Sequence, residues 1–355
     1  MPTSPRPTRR GLLAAGGATV LGAALAACGS SGGSSGGGSG SGNGGGNGTG
    51  AKSAGGDGGW SFTDDRGTVV TAKARPGRVV AFTGAAAALA DFGLDKQLVG
   101  VFGETRTADG KADPQAGDLD LGKVEIIGNA WGEFSIEKYA ALRPELLVTH
   151  MYDKDAYWYV PDESKAKILP LAPQVLISTG RVSITQPIEH YAKLAEALGA
   201  DPKAPKVVDA KARFERASEE LRQAAKAAGG VRVMACSGSA DLFYVSNPKV
   251  SCDLIHFAEL GVQFVQPEKT DGGDYYEGLS WENAGKYPAD LLLLDQRPTA
   301  LQPKDLTAKP AWGKLPAVQA GQLTPWDAVP RFSYAGFAPL LERLTAAIQK
   351  SRKLS

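Results

Sequence analysis

A chain of 355 residues, 43% of them hydrophobic, is long enough to outgrow a single core and to divide into more than one lobe. Its 39 basic and 38 acidic side chains leave a formal charge of +1, a balance with no electrostatic footprint for nucleic acid.

The chain begins with Arg6, Arg9 and Arg10, followed by Gly11–Ala27 without a charge, which predicts an export signal. Thr8-Arg9-Arg10-Gly11-Leu12-Leu13 resembles the twin-arginine signature. Leu25-Ala26-Ala27-Cys28 resembles a lipobox, in which cleavage leaves Cys28 as an acylated N-terminus. A transmembrane anchor is the alternative, but 17 residues rich in Gly and Ala are short and weakly apolar for a span. Three of the 39 basic residues lie in this leader, leaving 36 against 38 acids. Residues 29–59 are almost wholly Gly, Ser, Asn and Thr and cannot bury enough apolar surface to fold; as a coil they reach roughly 30 Å. Within them Gly40-Ser41-Gly42-Asn43-Gly44-Gly45 fits G-x-G-x-x-G, but no strand precedes it and no helix follows, so it is not a dinucleotide site. The expected place of the protein is the outer face of the cytoplasmic membrane, reached by the twin-arginine or general secretory route. An oxidising exterior permits a disulfide between Cys236 and Cys252; two separately buried thiols are the alternative.

Trp60–Ala72 predicts a β-hairpin turning at Asp65-Arg66-Gly67. Strands are then expected at Arg78–Thr83, Gln97–Phe102, Ile126–Gly128, Glu145–Thr149 and Gln174–Ser178. Helices are expected at Ala85–Phe92, Ser135–Leu142 with Ser135 as cap, Ser164–Ile168 and Ile188–Leu198. Lys203–Ala228 contains no glycine and places Val207, Ala210, Phe214, Ala217, Leu221, Ala224 and Ala228 in one stripe, a helix of roughly 39 Å closed by Gly229-Gly230. A coiled-coil or ordinary surface helix would share this pattern. The α/β alternation returns beyond it: strands at Val231–Cys236, Leu242–Val245, Leu291–Leu294 and Gln322–Thr324, helices at Cys252–Leu260 and Phe337–Lys350. The domain reading is therefore leader 1–28, tether 29–59, N-terminal lobe 60–202, spine 203–228 and C-terminal lobe 229–355. In such folds the loops outside the strand ends are the default ligand site.

Three stretches carry a resemblance: Arg78-Val79-Val80-Ala81-Phe82, the run from Phe134-Ser135-Ile136-Glu137 to Arg143-Pro144-Glu145-Leu146-Leu147-Val148, and Tyr287-Pro288-Ala289-Asp290-Leu291-Leu292-Leu293-Leu294. With the single long helix and the lipoprotein signal, the chain from Arg78 onward resembles the class III periplasmic substrate-binding proteins of ABC importers, which carry iron–siderophore complexes, haem and cobalamin. That resemblance implies two small open α/β lobes joined by a single long spine helix, with the ligand cleft between the lobes. It also implies a monomeric binding protein rather than an enzyme, with a ferric siderophore as cargo, the bilayer as anchor through Cys28 and an ABC permease as partner. The permease is expected to meet one acid on each lobe: Glu137 matches in the first, and Asp253, or Glu259 on the same helix, in the second.

The residues expected to face cargo are aromatic side chains in polar loops and arginines just past strand ends. Tyr152, Tyr157, Trp158 and Tyr159 follow the strand Glu145–Thr149, and Trp131 precedes another helix of that lobe. Tyr244, Tyr275, Tyr276, Trp281, Trp326, Phe332 and Tyr334 are the aromatic candidates of the second lobe. Large amphipathic rings suit a bulky, partly apolar ligand. Arg106, Arg297 and Arg331 offer planar forks of donors for oxygens around a ferric centre, and Arg331, flanked by Trp326, Phe332 and Tyr334, is favoured. Few cations among many rings lean toward a hydroxamate over a catecholate chelate.

His150, His190 and His256 are too scattered for a bare metal site, so no cofactor is expected and iron should arrive chelated. Haem or a corrinoid is the alternative cargo, with His150 or Tyr152 as the axial ligand that haem needs. A lipid-anchored hydrolase using Ser237 or Ser239 with His256 is the alternative of another class, but Cys236-Ser237-Gly238-Ser239-Ala240 is not G-x-S-x-G.

Overall fold

A computed structural model describes residues 59–354. The readings of the leader, of Cys28 and of nearly all the tether lie outside the described residues.

The body opens on the hairpin of β1 (Trp60–Thr63) and β2 (Val69–Ala72), paired antiparallel with Trp60 opposite Ala72. The N-terminal lobe follows: β3 (Val79–Phe82), α1 (Thr83–Asp91), β4 (Leu98–Phe102), β5 (Glu125–Gly128), α2 (Ile136–Ala141), β6 (Leu146–Met151), α3 (Lys165–Ile168), β7 (Gln174–Ser178) and α4 (Thr185–Ala197). Its five strands lie in the order β5-β4-β3-β6-β7, all parallel. A parallel sheet is covered on both faces, so its strands need continuous apolar runs; accordingly all of Val79–Phe82 and Leu146–Met151 are buried. Strand β3 runs straight into α1, two residues earlier than the expected helix start. Thr83 closes the junction, its hydroxyl donating to the Phe102 carbonyl at 3.1 Å. Helix α1 is built almost wholly of small residues and is buried through Ala90, which lets the neighbouring helices approach closely.

Helix α5 (Pro205–Ala227) is the spine. Proline at its first turn costs no intrahelical bond. Its buried residues are Val207, Phe214, Ala217, Ser218, Leu221 and Ala224: the expected stripe joined by Ser218, with Ala210 and the capping Ala228 only half-covered. The stripe packs chiefly against the last helix, α9 (Tyr334–Lys350), rather than evenly along both lobes. At its first turn Lys206 Nζ donates to the Ala90 carbonyl of α1 at 2.8 Å.

The C-terminal lobe comprises β8 (Arg232–Gly238), β9 (Leu242–Ser246), α6 (Cys252–Glu259), β10 (Gln263–Phe264), β11 (Tyr276–Ser280), β12 (Leu291–Asp295), α7 (Pro303–Leu306), α8 (Pro316–Gln319), β13 (Leu323–Trp326) and α9. The sheet order is β11-β9-β8-β12-β13, with β10 beside the start of β8. Strands β8, β10, β12 and β13 are parallel; β9 runs against them, and β11, antiparallel to β9, shares their direction. Cys236 and Cys252 are separately buried free thiols.

The spine is one of several ties between the lobes. Gly180 and Ser251 form an isolated antiparallel bridge, and the amides of Arg181 and Ile184 donate to the Val250 and Cys252 carbonyls at 2.8 and 3.1 Å. No helix among the described residues is long and apolar enough to cross a membrane.

Candidate functional site

The carboxyl ends of β4, β5 and β6 lead into three loops that converge. The loop after β6 is fastened before it is functional: Thr149 Oγ1 donates to the Trp158 carbonyl at 2.7 Å, and Tyr157 is drawn the other way by Arg66, whose Nη1 donates to its hydroxyl at 2.6 Å. Asp155 and Tyr159 take positive φ, 61° and 62°, to make the turn. L-residues enter that region only where the surroundings hold them there. The loop then presents a contiguous aromatic wall. Ring centroids lie 4.5 Å apart for Tyr152 and Trp158, 5.5 Å for Trp158 and Tyr159, and 5.2 and 5.0 Å from Trp131 to Trp158 and Tyr159. Trp131 comes from the loop after β5 and is 65% exposed, unusual for an indole.

The wall also holds unpaired polar atoms. Trp158 Nε1, the Tyr152 hydroxyl and Thr179 Oγ1 are buried without a hydrogen-bond partner, although Tyr152 and Thr179 lie close together. Each such atom costs about 1–3 kcal/mol. Burial pushes the phenols of Tyr152 and Tyr159 far above their ordinary range, with the Glu104 carboxylate adding to the effect on Tyr159. Tyr275, partly buried beside Asp153, is pushed up to about 12. These phenols are therefore neutral at physiological pH.

Arg297, just past β12, faces this wall from the other lobe; its charge is felt by Tyr152 and Tyr159. The buried Asp295 carboxylate accepts from its Nε at 3.0 Å and its Nη2 at 2.6 Å, holding the fork in place. Burial opposes the guanidinium's charge, but Asp295 outweighs it and the group is held above its usual range. Tyr275 also crosses between the lobes, its hydroxyl lying 3.3 Å from the Tyr152 carbonyl and 3.2 Å from Asp153 Oδ1. The structure thus brings Trp131, Tyr152, Trp158, Arg297 and Tyr275 together.

The other expected site residues are placed elsewhere. Arg331 pairs with Asp91 at the end of α1, and its guanidinium packs over Gly117, where a Cβ would overlap it. It is a tie between lobes, only 18% exposed. Tyr334 packs its ring on Phe92 and Phe214 beside the spine. Trp326 is buried with its indole N–H donating to Asp253 at 2.6 Å. Tyr244 meets Tyr276 edge to face and lies 3.3 Å from the Ser239 hydroxyl in the second lobe. Arg106 is exposed and donates to the Gly110 carbonyl at 3.0 Å. Phe332 is fully buried between His150 and Tyr191. What misled the reading of Arg331 was its aromatic surroundings, which are core rather than cleft.

Of the expected docking acids, Glu137 is exposed in the first turn of α2. Asp253 is 2% exposed, and burial raises its carboxyl to about 7 against the lowering effect of Trp326, so it cannot meet a partner at the surface. Glu259, at the other end of α6, is exposed. His150 is wholly buried among Phe82, Tyr152, Tyr191 and Phe332, and burial drives its imidazole down to about 3, keeping it neutral. No group of three or more His, Cys, Asp or Glu among the described residues could hold a metal ion.

Two α/β lobes tied by a spine, with an aromatic wall on one and an arginine facing it from the other, are the architecture of a substrate-binding protein. The chain belongs to the periplasmic binding protein family, whose pattern matches residues 79–330. It is similar to DesE, a ferric-siderophore receptor protein from Streptomyces coelicolor, at 50% identity and a TM-score of 0.79, over 83% of this chain and 100% of that one. The fold is shared with the petrobactin-binding protein YclQ from Bacillus subtilis, at 18% identity and a TM-score of 0.62, over 82% of this chain and 98% of that one. It is shared too with the haem-binding protein RhuT from Roseiflexus sp. RS-1, at 19% identity and a TM-score of 0.55, over 77% and 97% of the two chains. No curated protein matched the chain.

Proposed function

We propose that this protein captures a ferric siderophore, a hydroxamate complex in preference to a catecholate, and delivers it to an ABC importer. The observation that carries this reading is the aromatic wall of Trp131, Trp158 and Tyr159 faced by Arg297, whose charge Asp295 already balances. Rings supply contact area to a bulky chelate whatever its charge. A strongly anionic tris-catecholate would call for several unmatched cations. The 50% identity to a ferric-siderophore receptor supports the cargo class. The neutral tyrosines and Trp158 would act as hydrogen-bond donors to chelator oxygens, with iron remaining inside its chelate.

The reading extends to the ends of the transport path. Cys28 would carry the lipid that holds the protein, as a monomer, at the outer face of the cytoplasmic membrane, after export by the twin-arginine or general secretory route. Glu137 on the first lobe would meet the permease, with Glu259 taking the place expected of Asp253 on the second.

Haem is the second reading, since RhuT shares the fold. It is disfavoured because His150 is sealed behind Phe82 and Phe332, and the Tyr152 phenol is held firmly protonated, whereas ligation of haem iron calls for the phenolate. The test is tryptophan fluorescence of the purified protein titrated with ferric hydroxamates, ferric catecholates, haem and cobalamin. Hydroxamates should quench first; failure of every chelate to bind at micromolar concentration would overturn the assignment.

A further inference from the structure

The charges around the cleft are not evenly matched. Arg297 is neutralised by Asp295, and Arg181 lies 3.5 Å from Asp153 and 3.8 Å from Asp274 while stacking on Tyr275. Glu104 is the opposite case. It stands two residues past β4, half-buried and next to Gly103, against whose backbone the Tyr159 ring packs; its charge is felt by both Tyr159 and Arg297. Oε2 accepts from Gln115 Nε2 at 2.8 Å, yet no Lys or Arg pairs with Glu104 among the described residues. A partly desolvated carboxylate without a cation partner attracts positive charge and repels negative charge more strongly than one in water.

We propose that Glu104 is a charge filter, making the cleft favour ferric chelates of zero or positive net charge and seating a protonated amine of the chelator on its carboxylate. Three hydroxamates neutralise ferric iron, so a linear tris-hydroxamate bearing a terminal ammonium group is a cation. A tris-catecholate leaves three negative charges, which Glu104 would repel. This inference rests on the hydroxamate reading above.

The test uses two linear ferric tris-hydroxamates that differ only at a terminal primary amine, free in one and N-acetylated in the other, titrated against the full chain. The free-amine chelate should bind about tenfold more tightly, as for a charge-assisted hydrogen bond, with the preference shrinking as salt is added. In Glu104→Gln, which keeps the acceptor for Gln115, the ratio should fall to about one, and in Glu104→Lys it should reverse. Thermal melts establish that each variant is folded. Equal binding of the two chelates by the unaltered protein, or an undiminished preference in folded Glu104→Gln, would overturn the filter and leave the hydroxamate reading intact. Failure of both chelates to bind would overturn that reading and the filter with it.

Discussion

The Arg331 guanidinium lies 3.4 Å from the Asp91 carboxylate, joining the C-terminal lobe to the last turn of α1 in the other. Both side chains are largely buried, and Ser333 also donates to Asp91. Burial raises the Asp91 carboxyl despite the nearby arginine, so the pair forms one unit that neither member leaves without cost. Arg331→Ala should therefore lower unfolding stability by about 1–3 kcal/mol, the penalty for stranding a buried hydrogen-bonding group. Chelate affinity should change by less than about threefold, within the ~0.5 kcal/mol coupling of separate sites. Urea unfolding and fluorescence titration of the same preparation check both halves; a large affinity loss with unchanged stability would return Arg331 to the cleft.

Trp131 predicts the reverse pattern. Being 65% exposed, it contributes little to the core, and Trp131→Ala should leave stability within about 0.5 kcal/mol. Loss of its ring from the wall should weaken ferric hydroxamate binding roughly two- to tenfold, the ~0.5–1.5 kcal/mol of an aromatic contact. Part of the ligand-induced quenching should vanish as well.

Arg297 requires a paired experiment. Arg297→Ala removes the cation facing Tyr152 but also strands the buried Asp295. Combining it with Asp295→Asn separates the two effects: stability should recover toward that of the unaltered protein. Binding should remain weakened by about 1.5–3 kcal/mol, the range for a hydrogen bond to a charged group. Isothermal titration and thermal melts of the single and double variants give both numbers.

Much of the fold was legible because buried parallel strands announce themselves: Val79–Phe82, Leu146–Met151 and Leu291–Asp295 are nearly unbroken apolar runs. Strand β11 was not, because its apolar rhythm is interrupted by Gly278 and by Glu277. Burial would raise that carboxyl, but Lys286, Tyr287 and the Lys269 amide together hold it down at about 2. Such an acid looks like loop until its partners are known. At the candidate site, clustered rings in polar loops after strand ends marked Trp131, Tyr152 and Trp158, whose rings the fold packs together. Glu104 left no such trace, since one carboxylate after a strand has no pattern and its neighbours Tyr159 and Gln115 are distant in sequence. Asp253 failed for the same reason: its partner Trp326 is 73 residues away, and only the fold reveals that the pair is buried.

That buried pair makes stability depend on pH. Burial raises Asp253 from 3.8 to about 7, while the Trp326 N–H at 2.6 Å acts in the lowering direction. A folded-state value above the unfolded one means that the native protein binds the extra proton between them. The stabilisation is then fully present below about pH 4 and is lost as pH rises through about 7. At ~1.4 kcal/mol per unit, a rise of about three units corresponds to roughly 4 kcal/mol. Asp253→Asn keeps an oxygen for the Trp326 N–H and cannot ionise. It should therefore stabilise the protein little at about pH 4 and by a few kcal/mol at about pH 8, where the unaltered chain must hold a buried carboxylate. Urea unfolding of both proteins across that interval measures the difference. A gap that stays constant, or narrows as pH rises, would mean that Asp253 is already ionised in the native protein throughout.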